Sequence, residues 1–281
     1  MARARRETMR ITMLGCGGSG GVPLASREPG GFWGACDPAN PKNRRRRVSI
    51  HVAADHGAAH RGEAGEGEAA ATSLLVDASP DLRLQLLDHA ITRLDAVLFT
   101  HAHGDHCHGI DDLRALAYSQ GAPIPAYMDA RTRTRLARRF DYVFASSRDP
   151  ESIYPAIMED RVVDGPFRAG GIEVTPFVQG HGPETSLGFR FGPAAYSTDL
   201  SDLDEAAFAA LDGVELWIVD CLRFTPHPTH SHFEQTLAWI ERVKPARAIL
   251  THMNQEVDYD TLAARCPPGV EPGYDGLVVE V

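Results

Sequence analysis

Residues 96–108 read AVLFTHAHGDHCH, an apolar strand pattern from Ala96 to Thr100 that runs directly into His101, His103, Asp105 and His106. A strand that ends in a tight turn and passes into a helix can splay His101 and His103 toward one point. Asp105 and His106 then face a neighbouring point a few ångströms away. Imidazole nitrogen and carboxylate oxygen suit zinc, manganese or iron, and the lack of thiolates argues against a closed structural zinc site. The plain alternative is a histidine-rich surface turn, but four ligand types at the end of a buried strand are a poor fit to solvated decoration.

Further along, the same kind of place recurs. His181 follows VTPFVQG, Asp199 follows AYST and His252 follows AILT. Taken singly, His181 could be a turn histidine, Asp199 the start of a helix and His252 a buried histidine bonded to a carbonyl. Together they can converge on one sheet edge, where loops on a rigid scaffold carry function. In that arrangement one divalent ion takes His101, His103 and His181, another takes Asp105, His106 and His252, and Asp199 bridges them. Such a pair, about 3.5 to 4 Å apart, would clamp both oxygens of a displacement. Two divalent ions, zinc or manganese, are the expected cofactors. Asp77, ending SLLVD, could orient a metal histidine through its other ring nitrogen, or be a carboxylate at a helix start.

Around these motifs, strands are expected at Arg10–Leu14, Val48–Val52, Ser73–Asp77, Ile172–Val178, Leu187–Phe191, Ala195–Thr198, Leu216–Asp220 and Ala248–Thr251. Helices are expected after Ser79-Pro80-Asp81, with Ser79 as cap, from about Asp111, and over Ser231–Val243, where Phe233, Leu237 and Ile240 form one apolar face. The class is mixed α/β with two sheets. We expect a single domain over 1–281, with a mobile insertion at about 53–72, a stretch almost without large apolar residues.

The chain of 281 residues has 43% hydrophobic residues and a formal net charge of −10, which argues against wholesale nucleic-acid binding. No apolar run has the ~18 to 20 residues of a membrane span, and MARARRETMR lacks a secretory apolar core, so a cytoplasmic protein without membrane contact is expected. Five scattered cysteines form no CxxC. Cys107 and Cys221 read as apolar packing rather than reactive thiols.

HxHxDH followed by isolated His, Asp and His resembles the metallo-β-lactamase superfamily over nearly the whole chain. The resemblance implies an αββα sandwich, two mixed sheets flanked by helices, with the site on the sheet edge. Lactamases proper usually carry cysteine where this chain has Asp199, which argues against antibiotic hydrolysis. The opening TMLGCGGSGGVP, the extension HGIDDLR, the segment PTHSHFEQTLAWIERV and the late EPGYDGL are similar to the PhnP-type phosphodiesterases. That likeness implies a small cyclic phosphodiester substrate, such as a phosphoribosyl cyclic phosphate or a 2',3'-cyclic nucleotide. It also implies a general acid 22 residues before the last metal histidine. Here that is His230, with His232 as the alternative and His227 a near neighbour. The histidines could also merely cap the following helix. Asp105 and His230 are thus the catalytic candidates. The family's structural zinc is not expected, because the loop Leu24–Arg47 keeps only Cys36 and its histidine position is Gln255. A homodimer is expected, and nucleic acid only as a possible substrate.

Other signals carry less. Gly15-x-Gly17-x-x-Gly20 spells a dinucleotide motif, but Pro23, Pro29, Gly30 and Gly31 follow where a helix would have to open. The glycines more naturally allow close backbone approach to the metal site or a phosphate. Arg44–Arg47 could meet a phosphodiester or be a solvated run; Arg114 and Arg223 could pair with phosphate or face solvent. The rival functions are a ribonuclease Z-like endonuclease, which would need a basic arm not found here, a thioesterase or lactonase, and a non-catalytic metal or redox protein.

Overall fold

In Thr72–Val76 (TSLLV), Leu74 and Val76 join one apolar cluster and Leu75 another, the period of two expected of a strand buried on both faces. Repeated along the chain, that pattern builds two face-to-face sheets with helices outside. The computed structural model describes residues 8–54, 71–145 and 153–281. The strands are β1 (Met9–Gly15), β2 (Ser49–Ala54), β3 (Thr72–Val76), β4 (Ala96–Leu98), β5 (Ile124–Met128), β6 (Met158–Val162), β7 (Phe167–Ala169), β8 (Ile172–His181), β9 (Glu184–Phe191), β10 (Ala194–Ser197), β11 (Leu216–Asp220), β12 (Arg247–Thr251), β13 (Val270–Pro272) and β14 (Val278–Glu280). The helices are α1 (Leu82–Asp88), α2 (Gly104–Cys107), α3 (Arg114–Gln120), α4 (Ala130–Arg139), α5 (Glu205–Leu211), α6 (Phe233–Val243) and α7 (Tyr259–Ala263).

One seven-stranded sheet runs β14-β1-β2-β3-β4-β5-β6 and the other β13-β12-β11-β10-β9-β8-β7. Each has an antiparallel part and a parallel part: β3 to β6 are parallel in the first, and β10 to β13 in the second. Between the sheets, Ile50, Val76 and Leu98 share a cluster with Phe189, Phe191 and Leu250. Outside the first sheet, Leu75, Val97 and Phe99 pack with Leu82, Leu86, Leu113 and Leu136. This is the two-sheet, helix-flanked αββα architecture expected from the motifs. Among the described residues, no helix is long and apolar enough to cross a membrane.

Several details differ from the sequence reading. Ser79 does not cap α1, which begins at Leu82 after Asp81; its hydroxyl instead donates to Gln85 Oε1 at 2.9 Å. Ala53, Ala54 and Thr72, expected in the mobile insertion, are strand residues instead, paired as Ala53↔Ser73 and Ala54↔Thr72; the rest of that expectation falls on 55–70, which lie outside the described residues, and on Ala71. The unit β5-α4-β6 was not anticipated. Its helix, ARTRTRLARR, buries only Thr132 and Leu136, so periodicity had almost nothing to register.

The glycine loop after β1 opens no dinucleotide helix: the next helical element is the short turn Pro41–Asn43. A Cβ on Gly17 would lie 2.9 Å from the Arg46 carbonyl oxygen, and one on Gly18 would lie 3.5 Å from His252 Cε1. Close backbone approach therefore explains these glycines. The arginine run is not a common basic surface. Arg45 is buried and donates to Asn254 O (3.1 Å) and Asn43 Oδ1 (3.3 Å), Arg46 pairs with Asp88 (2.7 Å), Arg47 with Asp81 (3.1 Å), and Arg44 lies over Trp33. The loop is fastened further by Asn43 Nδ2 to Asp258 Oδ2 (2.7 Å) and by Ala35 N to Gln255 O (2.8 Å).

Candidate metal centre

Six strand ends meet at one edge of the sandwich. Asp77 follows β3, His101 follows β4, His181 ends β8, Asp199 follows β10, Asp220 ends β11 and His252 follows β12. His103, Asp105 and His106 are delivered by the turn into α2, with His103 as its N-cap. At Asp77, Asp199 and His252 the chain turns off its strand with φ of 64°, 54° and 57°. The left-handed region costs a side-chain-bearing residue about 1–2 kcal/mol. Three such residues at one edge mark a place where the fold holds strain in return for aim.

The structure brings all seven proposed ligands together. His101, His103, His181 and Asp199 have ligand atoms within 4.8 Å of one another, as do Asp105, His106, Asp199 and His252, so Asp199 belongs to both groups. For three of the histidines the surrounding bonds set which nitrogen is bare. Thr100 Oγ1 donates to Asp77 Oδ2 (2.8 Å), so at 3.0 Å it accepts from His101 Nδ1 and leaves His101 Nε2 as the lone pair. His106 Nδ1 donates to Asp77 Oδ2 at 2.7 Å, again baring Nε2. His181 Nδ1 donates to the Thr229 carbonyl at 2.7 Å, with the same result. His101 Nε2, His106 Nε2, His252 Nε2 and Asp105 Oδ2 are buried without any hydrogen-bond partner. Buried polar atoms left without a partner cost about 1–3 kcal/mol each. Their convergence on two points is the arrangement that divalent cations compensate, and the N/O donor set fits such ions.

Electrostatics at the edge agree. Burial opposes the ionisation of Asp199, yet His252, His106 and His101 hold its carboxyl well below the usual range. Burial likewise opposes charge on His106, but Asp199, Asp105 and Asp77 push it well above an ordinary histidine. His252 is carried to about 9 against its burial, mainly by Asp199 and Asp105. Burial, with His106 beside it, lowers His101, and burial lowers His181. The carboxylates thus demand positive charge where the bare nitrogens meet.

His230 is also at this edge, its Nε2 3.7 Å from Asp199 Oδ2, and its Nδ1 is 3.0 Å from Asp220 Oδ2. Asp220 is wholly buried, and Leu200 N also donates to its Oδ2. Asp220 was missed by the sequence reading, although LWIVD ends an apolar strand just as AILTH does. His232 is the N-cap of α6 and makes no side-chain capping bond. His227 lies with its ring centroid 5.2 Å from that of His230. Arg223 is turned to carbonyls of its own loop, Thr225 O and Pro226 O, and Arg114 to Asp111 and Tyr118. Cys107 and Cys221 are buried free thiols.

Residues 72–253 match the model of the beta-lactamase superfamily domain. Among curated proteins, the chain is 30% identical over 271 residues to a Porphyromonas gingivalis (strain ATCC BAA-308 / W83) protein named octanoyltransferase. The match covers 96% of this chain and 51% of that protein, so the chain spans about half the length of this curated relative. Among solved structures, a new diphosphatase from the PhnP family superposes with a TM-score of 0.82 at 29% identity, covering 98% of this chain and 97% of the other. Zinc-bound PqqB from Methylobacterium extorquens gives 0.67 at 19% identity over 97% and 100% of the two chains. Human tRNase Z, short form, gives 0.62 at 17% over 96% and 98%. The last two show a shared fold.

Proposed function

Since the chain belongs to the beta-lactamase superfamily, we propose that it is a dinuclear metal-dependent phosphodiesterase acting on small cyclic phosphates. A phosphoribosyl cyclic phosphate and a 2',3'-cyclic nucleotide are the candidate substrates. The observation that carries the reading is the His230–Asp220 pair set beside the double ligand cluster. Zinc or manganese ions held by His101, His103 and His181, and by Asp105, His106 and His252, with Asp199 shared, would supply Lewis acidity toward a phosphoryl oxygen and acidify water.

The chain's own part is orientation and proton delivery. Asp220 accepts from His230 Nδ1, so the ring is fixed with Nε2 toward Asp199 and the reacting edge. His230 Nε2–H is then placed to protonate the departing ribose oxygen, a step that matters most when the leaving group is a poor one. Asp77 holds His106, and through Thr100 it also holds His101, so one buried carboxylate aims a histidine of each cluster.

A second reading, hydrolysis of a phosphoanhydride, is favoured by the diphosphatase among the similar structures. Phosphate is a better leaving group than an alkoxide, and a dedicated general acid gains less there. The test is turnover of a 2',3'-cyclic nucleotide by zinc- or manganese-loaded protein, with Asp199→Asn as control and a nucleoside diphosphate as the competing substrate. Metal-dependent ring opening, lost in Asp199→Asn, is the expected result. Turnover of the diphosphate alone would overturn the cyclic phosphodiester in favour of the second reading.

A further inference from the structure

Of the proposed ligands, His103 is the most exposed. Its side chain is 41% exposed, whereas those of His101, His181 and His252 are 4%, 3% and 0% exposed. What lies against it is Glu184, with Oε2 3.5 Å from His103 Nε2. Glu184 is the first residue of β9 and the register partner of His181, across the tight turn of the hairpin. Its carboxylate is held by a bidentate pair from Arg135, Nη1 to Oε2 and Nη2 to Oε1 at 2.7 Å each, and by Arg131 Nη2 at 3.1 Å. Arg131, Arg135 and Arg139 fall four residues apart on α4 and so share one face. Arg139 donates to the carbonyl of Ala102, the residue between the two histidines of the motif.

A tautomer argument gives this contact its meaning. His181 Nδ1 must carry a hydrogen, because a carbonyl can only accept, so His181 Nε2 is a bare lone pair. It lies 3.3 Å from His103 Nδ1. If His103 carried its hydrogen on Nδ1, the two rings would hydrogen-bond to each other and close the site. A fixed anion at Nε2 favours the other tautomer, in which both lone pairs are bare and converge on a cation.

We propose that Glu184, clamped by Arg135 and Arg131 of α4, is a positioning residue for His103: it takes the Nε2 hydrogen and turns Nδ1 toward the ion shared with His101 and His181. The inference rests on the two-ion reading of the site and not on the identity of the substrate. It makes α4, the helix of the unanticipated unit, part of the metal-binding apparatus. A merely structural role for Glu184, tying α4 to the β8–β9 hairpin, predicts something else: lower stability and equal weakening of both ion sites.

The test is zinc stoichiometry and affinity by chelator competition, on wild type, Glu184→Ala, Glu184→Gln and the exposed control Glu205→Gln, with circular dichroism to check folding. Glu184→Ala should weaken one of two zinc sites by about 10–100-fold, the usual cost of losing such a partner, and leave the other within about twofold. Glu184→Gln, which keeps one acceptor oxygen for Nε2–H, should fall between wild type and Glu184→Ala. Glu205→Gln should match wild type. Two wild-type sites in Glu184→Ala, equal loss at both, or Glu184→Gln no better than Glu184→Ala would each overturn the inference. Fewer than two zinc ions in the wild type would overturn the two-ion reading itself.

Discussion

Asp220 Oδ2 lies 3.0 Å from His230 Nδ1, and the carboxylate is fully buried at the end of β11. The pair gives the site a direction, because the other ring nitrogen, Nε2, lies 3.7 Å from Asp199 Oδ2. Asp220→Asn and His230→Ala should each lower kcat on a cyclic nucleotide by about 10²–10⁴-fold, the usual contribution of a general acid. On a nitrophenyl phosphodiester, whose leaving group needs no proton, the loss should be under about tenfold. Steady-state kinetics on both substrates decide it; equal losses would remove the proton-donor role.

Asp77 accepts three bonds, from Thr100 N, Thr100 Oγ1 and His106 Nδ1. Replacement by alanine leaves those donors buried and unpaired at about 1–3 kcal/mol each. Asp77→Ala should therefore cost several kcal/mol in urea unfolding and about 10–100-fold in zinc affinity. Wild-type zinc affinity in the folded variant would show that Asp77 aims nothing.

His252, at about 9, and the strongly raised His106 hold protons at neutral pH when no cation is bound. Metal must displace them, so uptake should release protons and the apparent affinity should fall as pH is lowered from 9 to 6. The sign for stability of the metal-free protein is the reverse. A histidine raised in the folded state stabilises fully below its unfolded value of ~6.5 and loses that contribution as pH rises through about 9. Chelated protein should thus melt lower at pH 9 than at pH 6.5 on this account, and calorimetry in buffers of different ionisation enthalpy should count the protons released by zinc.

The metal histidines were legible because each follows a strand that was itself legible. The rule applied to AILTH and AYSTD also fits LWIVD, but nothing in the sequence shows that Asp220 meets His230, which only the fold brings to it. Glu184 had no such signal: ETSLGFRF reads as a strand, and only the hairpin brings it beside His103. The β5-α4-β6 unit was opaque for a related reason, since arginines that work in ion pairs look like a solvated face. Ser79 misled because Ser-Pro-Asp fits a helix start, yet the chain takes one more turn and begins α1 at Leu82.

Arg45 shows what fastens the loop 24–47 in this chain. Its buried guanidinium reaches Asn254 O, Asn43 Oδ1 and Cys36 Sγ. Arg45→Ala should strand those acceptors and cost about 2–4 kcal/mol, with faster proteolysis within the loop. Unchanged stability and cleavage would assign the fastening to Asn43 and Asp258 instead.

The left-handed turns at Asp77, Asp199 and His252 also bear on how fast the centre can empty. Two of these residues are proposed ligands and the third holds His106 directly and His101 through Thr100, so the aim of the ligands is set by backbone conformation as well as by side-chain rotamer. Were a bound ion released only when that backbone opens, its escape would keep its own clock and a chelator would have to wait for the edge. Past a modest excess, adding more chelator should leave the stripping rate unchanged.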